Sequence, residues 1–188
     1  LANHPDTDAD TVFNAVTCFV LMADDFKNTN EKDTAKIILG HADQLARQVM
    51  TSQPIGRTWP IAFGRLALLY YELGENDAAI TAANTAHSAF QDALNAGDDN
   101  ITPMDLACVS ALLAEIFSGQ NLSRKMEQFD KSIITLSLQA DMVAGYFHEL
   151  LGPWVVKSLS RSLEKIGGQE LEITSRLIND LKQRSTDD

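Results

Sequence analysis

An all-α protein is the fold class this sequence predicts, and three observations carry that prediction. Alanine and leucine dominate the chain, aromatics make up 7% and there are only five prolines, a balance that favours helices. Apolar residues recur at helical spacing along most of the chain, and β-branched residues never form the alternating runs that strands need. Turn signals at Asn30, Gly74, Gly119 and Gly167 stand 44, 45 and 48 residues apart, the regular spacing of a helical-hairpin array, or α-solenoid. About four antiparallel hairpins are expected within a single helical domain, at about 9–51, 58–95, 102–138 and 153–184, with 139–152 as a linking helix. An irregular helical bundle is the alternative.

Each element has its own justification. Asp6, Thr7 and Asp8 offer N-caps for a first helix over about Ala9–Lys27, with Val12, Phe13, Val16, Phe19, Val20, Met22, Ala23 and Phe26 forming its apolar stripe. Asn28-Thr29-Asn30 turns the chain into a second helix to about Thr51, where Ala35, Ile38, Leu39, Ala42, Leu45, Ala46, Val49 and Met50 point inward and Gly40 suggests a close helix neighbour. The third helix carries Pro60 in its first turn and stops at Leu73-Gly74; the fourth runs from about Asn76 to Asn95. Thr102-Pro103 with Asp105 is a strong start for a fifth helix ending at Ser118-Gly119. A sixth runs over about Leu122–Leu138, with Met126, Phe129, Ile133 and Leu136 at helical spacing. Gly152-Pro153 is expected to break or kink the chain before a helix over Pro153–Ile166, and a last helix covers about Gln169–Arg184.

Composition bounds the function. The net charge is −11, concentrated in residues 61–150, which hold twelve acids against four bases; such a surface repels nucleic acid and anionic lipid. No apolar run is long enough to span a membrane, and a soluble, cytoplasmic chain is favoured, although a removed signal peptide would leave no trace in it. Cys18 and Cys108 each lie in an apolar helical pattern, as small buried hydrophobes do; a disulfide framework is not expected, and two thiols build no zinc site without histidines placed nearby in sequence or space. There is no glycine-rich phosphate loop, no nucleophile elbow and no H-E-x-x-H. Residues three before His41, His87 and His148 are Ile38, Asn84 and Gly145, so the di-iron Glu-x-x-His pattern is absent too. His148-Glu149 beside Trp154 is the one local cluster of acid, imidazole and aromatic, and a helix-surface pair explains it more simply. No catalytic residue, metal ligand or cofactor is expected, and the oligomeric state is left open.

The clearest hairpin, from Ala62 to Ala86, carries Phe63-x-x-Leu66-Ala67-x-x-Tyr70 on its first helix and Ala79, Ala83 and Ala86 on its second. This resembles the tetratricopeptide repeat, with longer helices and with Ala83 where the family has an aromatic. The first hairpin keeps the frame as Phe19-x-x-Met22-Ala23-x-x-Phe26 with Ala35, Leu39 and Ala42; the fourth keeps Val156, Leu159, Ser160 and Leu163; the third fits poorly as Cys108, Ala111, Leu112 and Glu115.

The resemblance implies a peptide-binding concave face lined by the first helix of each hairpin. Carried over by position, it implies Thr17, Val20, Asp24, Lys27 and Asn28; Ile61, Gly64, Leu68, Tyr71 and Glu72; Leu106, Val109, Leu113, Ile116 and Phe117; and Trp154, Lys157, Arg161, Glu164 and Lys165. Its middle is apolar and its ends polar. A protein or peptide partner is therefore expected, with Tyr71, Leu113 and Phe117 as anchors, Lys157 and Arg161 at the edge, and Leu68, Glu72 and Trp154 as further groove candidates. If Leu113 and Phe117 are both buried by the chain's own helices, that strip is core and the open-groove reading fails. The alternative is a ligand-sensing helical domain of a larger regulator that encloses a small apolar molecule; an enzyme of unrecognised type would need ionisable residues converging in a pocket.

Overall fold

A computed structural model describes residues 9–52, 58–97, 102–139, 148–163, 172 and 174–179. Apolar residues at i, i+3 and i+4 make these segments amphipathic helices: α1 (Ala9–Asn28), α2 (Lys32–Ser52), α3 (Thr58–Glu72), α4 (Asn76–Asn95), α5 (Pro103–Gly119), α6 (Ser123–Gln139) and α7 (His148–Ser162). Residues 174–179 are helical as well, and no strand occurs among the described residues. The chain is all-α.

Three hairpins turn in the same way. Asn30, Gly74 and Asn121 adopt left-handed φ values of 68°, 81° and 58°. In each, the next residue's N–H reaches back to the carbonyl five residues earlier (Glu31 to Phe26, Glu75 to Tyr70, Leu122 to Phe117), and the turn residue's own N–H bonds three residues back, to Lys27, Tyr71 and Ser118. That pair of bonds satisfies carbonyls otherwise orphaned at a helix end. The third turn therefore centres on Asn121 and not on Gly119, because asparagine reaches the left-handed region readily enough to stand where glycine does.

The chain divides into two compact units, Leu1–Ala89 and Phe90–Asp188, with the boundary inside α4. In the N-terminal unit α1, α2 and α3 pack on one another. Val12, Val16, Val20 and Ala23 of α1, Ala35, Leu39, Ala42 and Ala46 of α2, and Phe63, Leu66, Ala67 and Tyr70 of α3 are all buried. The alanines let helix axes approach and the larger residues fill the space between; each buried leucine contributes about 2 kcal/mol. Phe13 meets Trp59 edge-on, with ring centroids 5.9 Å apart.

In the C-terminal unit α5 packs against both α6 and α7, and α6 against α7. Every residue of α5 from Met104 to Ala114 is buried, as are Ile116 and Phe117. A helix apolar all round belongs in the middle of its unit. Its start is a capping box: the Thr102 hydroxyl accepts from the Asp105 N–H at 3.3 Å, and the Asp105 carboxylate accepts from the Thr102 N–H at 3.1 Å.

The structure corrects several local expectations. Gly152-Pro153 lies inside α7, which starts at His148; as the sixth residue, Pro153 costs the helix its bond to the Glu149 carbonyl but does not end it. Gly40 faces open space and marks no close helix approach. Cys18 is exposed, while Cys108 is buried as expected. The linking helix expected at 139–152 and the last helix at about 169–184 lie largely outside the described residues.

Candidate functional site

Counted back from the left-handed turn residues, the first helices of three hairpins share one burial register. The residues ten before (Val20, Gly64, Ala111) are buried in all three. The residues six and three before are half-buried: Asp24 and Lys27, Leu68 and Tyr71, Glu115 and Ser118. The residues two before (Asn28, Glu72, Gly119) are exposed. Accessible side chains thus recur at the C-terminal ends of α1, α3 and α5, although α5 is buried from Met104 to Ala114.

Ion pairs tie this face together within each unit. In the N-terminal unit Lys27 reaches from α1 to Glu72 of α3 and also pairs with Asp24 at 2.7 Å. Partial burial works against the Lys27 ammonium, yet its hydrogen bonds to Asp24 and Glu72 outweigh it and hold its pKa above the usual lysine value. Lys36 of α2 pairs with Glu75 beside it. Leu68, Tyr71 and Glu72 are neighbours on the α3 surface by their spacing of three and four residues, so an apolar and aromatic pair adjoins the Lys27–Glu72 tie.

In the C-terminal unit Lys157 and Arg161 of α7 both face Glu115 of α5, with nitrogen–oxygen distances of 2.6 and 3.8 Å. Arg161 also forks onto Asp130 of α6, with Nη2 and Nε donating at 2.8 and 3.2 Å. The Ser158 hydroxyl donates to the same carboxylate. Asp130 is 5% exposed, an ionisable side chain held inside the α6 stripe by three donors. This arrangement can hold helices in register and present charge at the surface. Among the described residues, no group of three or more His, Cys, Asp or Glu is placed to hold a metal ion, and no helix is long and apolar enough to cross a membrane.

The residues singled out from the sequence separate into three sets. Leu68, Tyr71 and Glu72 lie at the accessible face of α3, with Leu68 and Tyr71 half-buried and Glu72 exposed. On α7, Lys157 is exposed and Trp154 and Arg161 are half-buried; Glu115 brings Lys157 and Arg161 together. Leu113 and Phe117 are not at the face. They are 0% and 4% exposed, and Phe117 stacks on Phe129 of α6 with centroids 5.8 Å apart. The reason is the turn residue: measured from Asn121, Leu113-Ala114-x-x-Phe117 takes the packing places of Leu66-Ala67-x-x-Tyr70. The apolar strip expected along α5 is therefore core, and the third hairpin matches the packing pattern once its register is shifted by two residues. The side chains of His148 and Glu149 lie outside the described residues.

Sequence reasoning missed Asp130, Ser158 and Glu115. A signal was present for Asp130, which lies four residues after Met126 and three before Ile133, in the apolar row of α6. No family model, characterised protein or solved structure matches the chain.

Proposed function

We propose that the chain is a non-catalytic, tetratricopeptide-like scaffold that binds a protein or peptide segment along the paired first helices within a unit, α1 with α3 or α5 with α7. One observation carries this reading: the same left-handed turn recurs at Asn30, Gly74 and Asn121, each time with the residues six, three and two before it accessible at the end of the first helix. Neighbouring first helices also pack side by side, α1 with α3 and α5 with α7, as a stacked array requires. The face is charged, with apolar contact supplied by Leu68 and Tyr71 in the N-terminal unit and by Trp154 in the C-terminal unit. It suits an extended segment that offers an apolar side chain to Leu68 and Tyr71 and polar groups to Asp24, Lys27 and Glu72.

Peptides selected from a random display library against the intact chain test this. Their affinity is expected to fall at least about tenfold in a Leu68→Ala/Tyr71→Ala variant, since truncating central contacts of an interface costs more than 1 kcal/mol each. Equal affinity for wild type and variant by fluorescence anisotropy would sink the assignment of this face.

A further inference from the structure

The first hairpin exposes apolar side chains at places its counterparts bury. Cys18 and Met22 stand as far before Asn30 as Ala62 and Leu66 stand before Gly74, and as Val109 and Leu113 stand before Asn121. Ala62 is 4% exposed and Leu66, Val109 and Leu113 are 0% exposed, whereas Met22 is 46% exposed. Cys18 is exposed as well. Phe19 and Phe26 take the places of the buried Phe63 and Tyr70 and are only half-buried. Leu21, at 57%, continues the patch. Spacings of three and four residues make Cys18, Leu21 and Met22 neighbours on one side of α1, flanked by Phe19 and Phe26.

The matching stripe of α3 is covered by α2. The Arg47 guanidinium lies over the Phe63 ring, 5.3 Å from its centroid. The Tyr70 hydroxyl donates to the Leu39 carbonyl at 3.4 Å, and Lys36 pairs with Glu75. Between these contacts α2 presents Ala35, Leu39, Ala42 and Ala46, all 0% exposed. The second hairpin thus shows what kind of element fits the same stripe on the first. Glu31 holds the place of Glu75, one residue past the turn, and is exposed.

We propose that the Cys18–Met22 side of α1 docks an amphipathic helix of a partner protein, patterned as α2 is. Small apolar residues and a leucine line its inner face at spacings of four, three and four residues. A lysine near its start meets Glu31, and an arginine near its end lies over Phe19. A second copy of this chain does not supply such a helix, because the inner faces of its own α2, α4 and α6 are already taken: Leu39, Ala83 and Ile133 are all 0% exposed.

The probe is a labelled peptide of the α2 sequence, residues 32–52, titrated with the intact chain and followed by fluorescence anisotropy. Saturable binding is expected. It should weaken at least about tenfold in Met22→Glu, which sets a charge at the centre of the docked face. It should weaken less in Met22→Ala, which only removes contact area. Leu68→Ala/Tyr71→Ala should leave it unchanged, so failure here is distinguishable from failure of the peptide-binding face. Met22 is already 46% exposed, so both Met22 variants are expected to keep the wild-type circular dichroism. No saturable binding, or equal binding by Met22→Glu, overturns the proposal. So does a wild-type dimer in sedimentation velocity that Met22→Glu dissolves, because a second copy would then be the occupant.

Discussion

Asp130 sits in a row of α6 that also carries the buried Ile133, and its side chain is only 7% exposed. An ionised carboxylate so placed depends on Arg161 and Ser158, and removing one partner of a buried pair strands the other. Asp130→Ala is therefore expected to cost about 3 kcal/mol, read as a lowered urea midpoint. Exposed pairs such as Arg176–Glu172 should be worth less than about 1 kcal/mol. Tyr70 supplies a pH signature. Burial, reinforced by Asp43 and opposed by Arg47, pushes its phenol up to about 12. An unfolded tyrosine loses its proton near pH 10. Below that, both states hold the proton and the contribution is complete. Between pH 10 and 12 the unfolded chain releases a proton that the folded chain keeps, so stability falls as pH rises. Tyr70→Phe is expected to show a flatter decline of melting temperature over that window. An unchanged slope would show that Tyr70 ionises as freely in the folded chain as in the unfolded one.

Two glycines of the N-terminal unit look alike in sequence and behave oppositely in their elements. Gly74 holds φ at +81°, and Gly40 stands inside α2 with nothing near the place a Cβ would occupy. Gly74→Ala is expected to lose about 1 kcal/mol by forcing a Cβ into the left-handed region. Gly40→Ala is expected to gain about 0.5–1 kcal/mol by raising helix propensity and narrowing the unfolded ensemble. Chemical denaturation of the two variants should therefore move in opposite directions. Much of each element was legible from the chain: the Thr102-Pro103 start of α5, the Gly74 stop of α3 and the whole span of α4 are local signals, and local chemistry decides them. The turn at Asn121 was not, because Gly119 lies two residues away and offers the stronger conventional signal. That offset moved Leu113 and Phe117 from packing places to surface places. The all-apolar circumference of α5 held the corrective clue, since a helix without a polar side has no face to turn outward.

Across the whole molecule, the turns at Asn30 and Gly74 were readable because each is set by local sequence, whereas the third falls at Asn121 and the one expected at Gly167 lies outside the described residues. The Lys27–Glu72 and Lys157–Glu115 pairs were not readable, since each joins residues 45 and 42 positions apart and no local pattern announces a long-range partner. Consecutive packing of α1, α2 and α3, and of α5, α6 and α7, keeps most neighbours close along the chain. Topologies of that kind fold within milliseconds or faster, and stopped-flow circular dichroism is expected to place most of the refolding amplitude there. Modular helices carry a hazard, however. Ala23, Ala67 and Ala114 make one hairpin's contact stripe resemble another's, so a chain could assemble with a hairpin slipped by a turn at little cost. The Asp130–Arg161–Ser158 cluster works as an address label against that error: at any other alignment of α6 and α7, a carboxylate would be buried bare. An Asp130→Leu/Arg161→Met variant is expected to keep or raise the melting temperature, yet to broaden the amide resonances of α6 and α7 as neighbouring alignments become populated. Sharp, single resonances would show that shape alone fixes the junction. On this reading the ion pair marks which helix belongs beside which and adds little to cohesion.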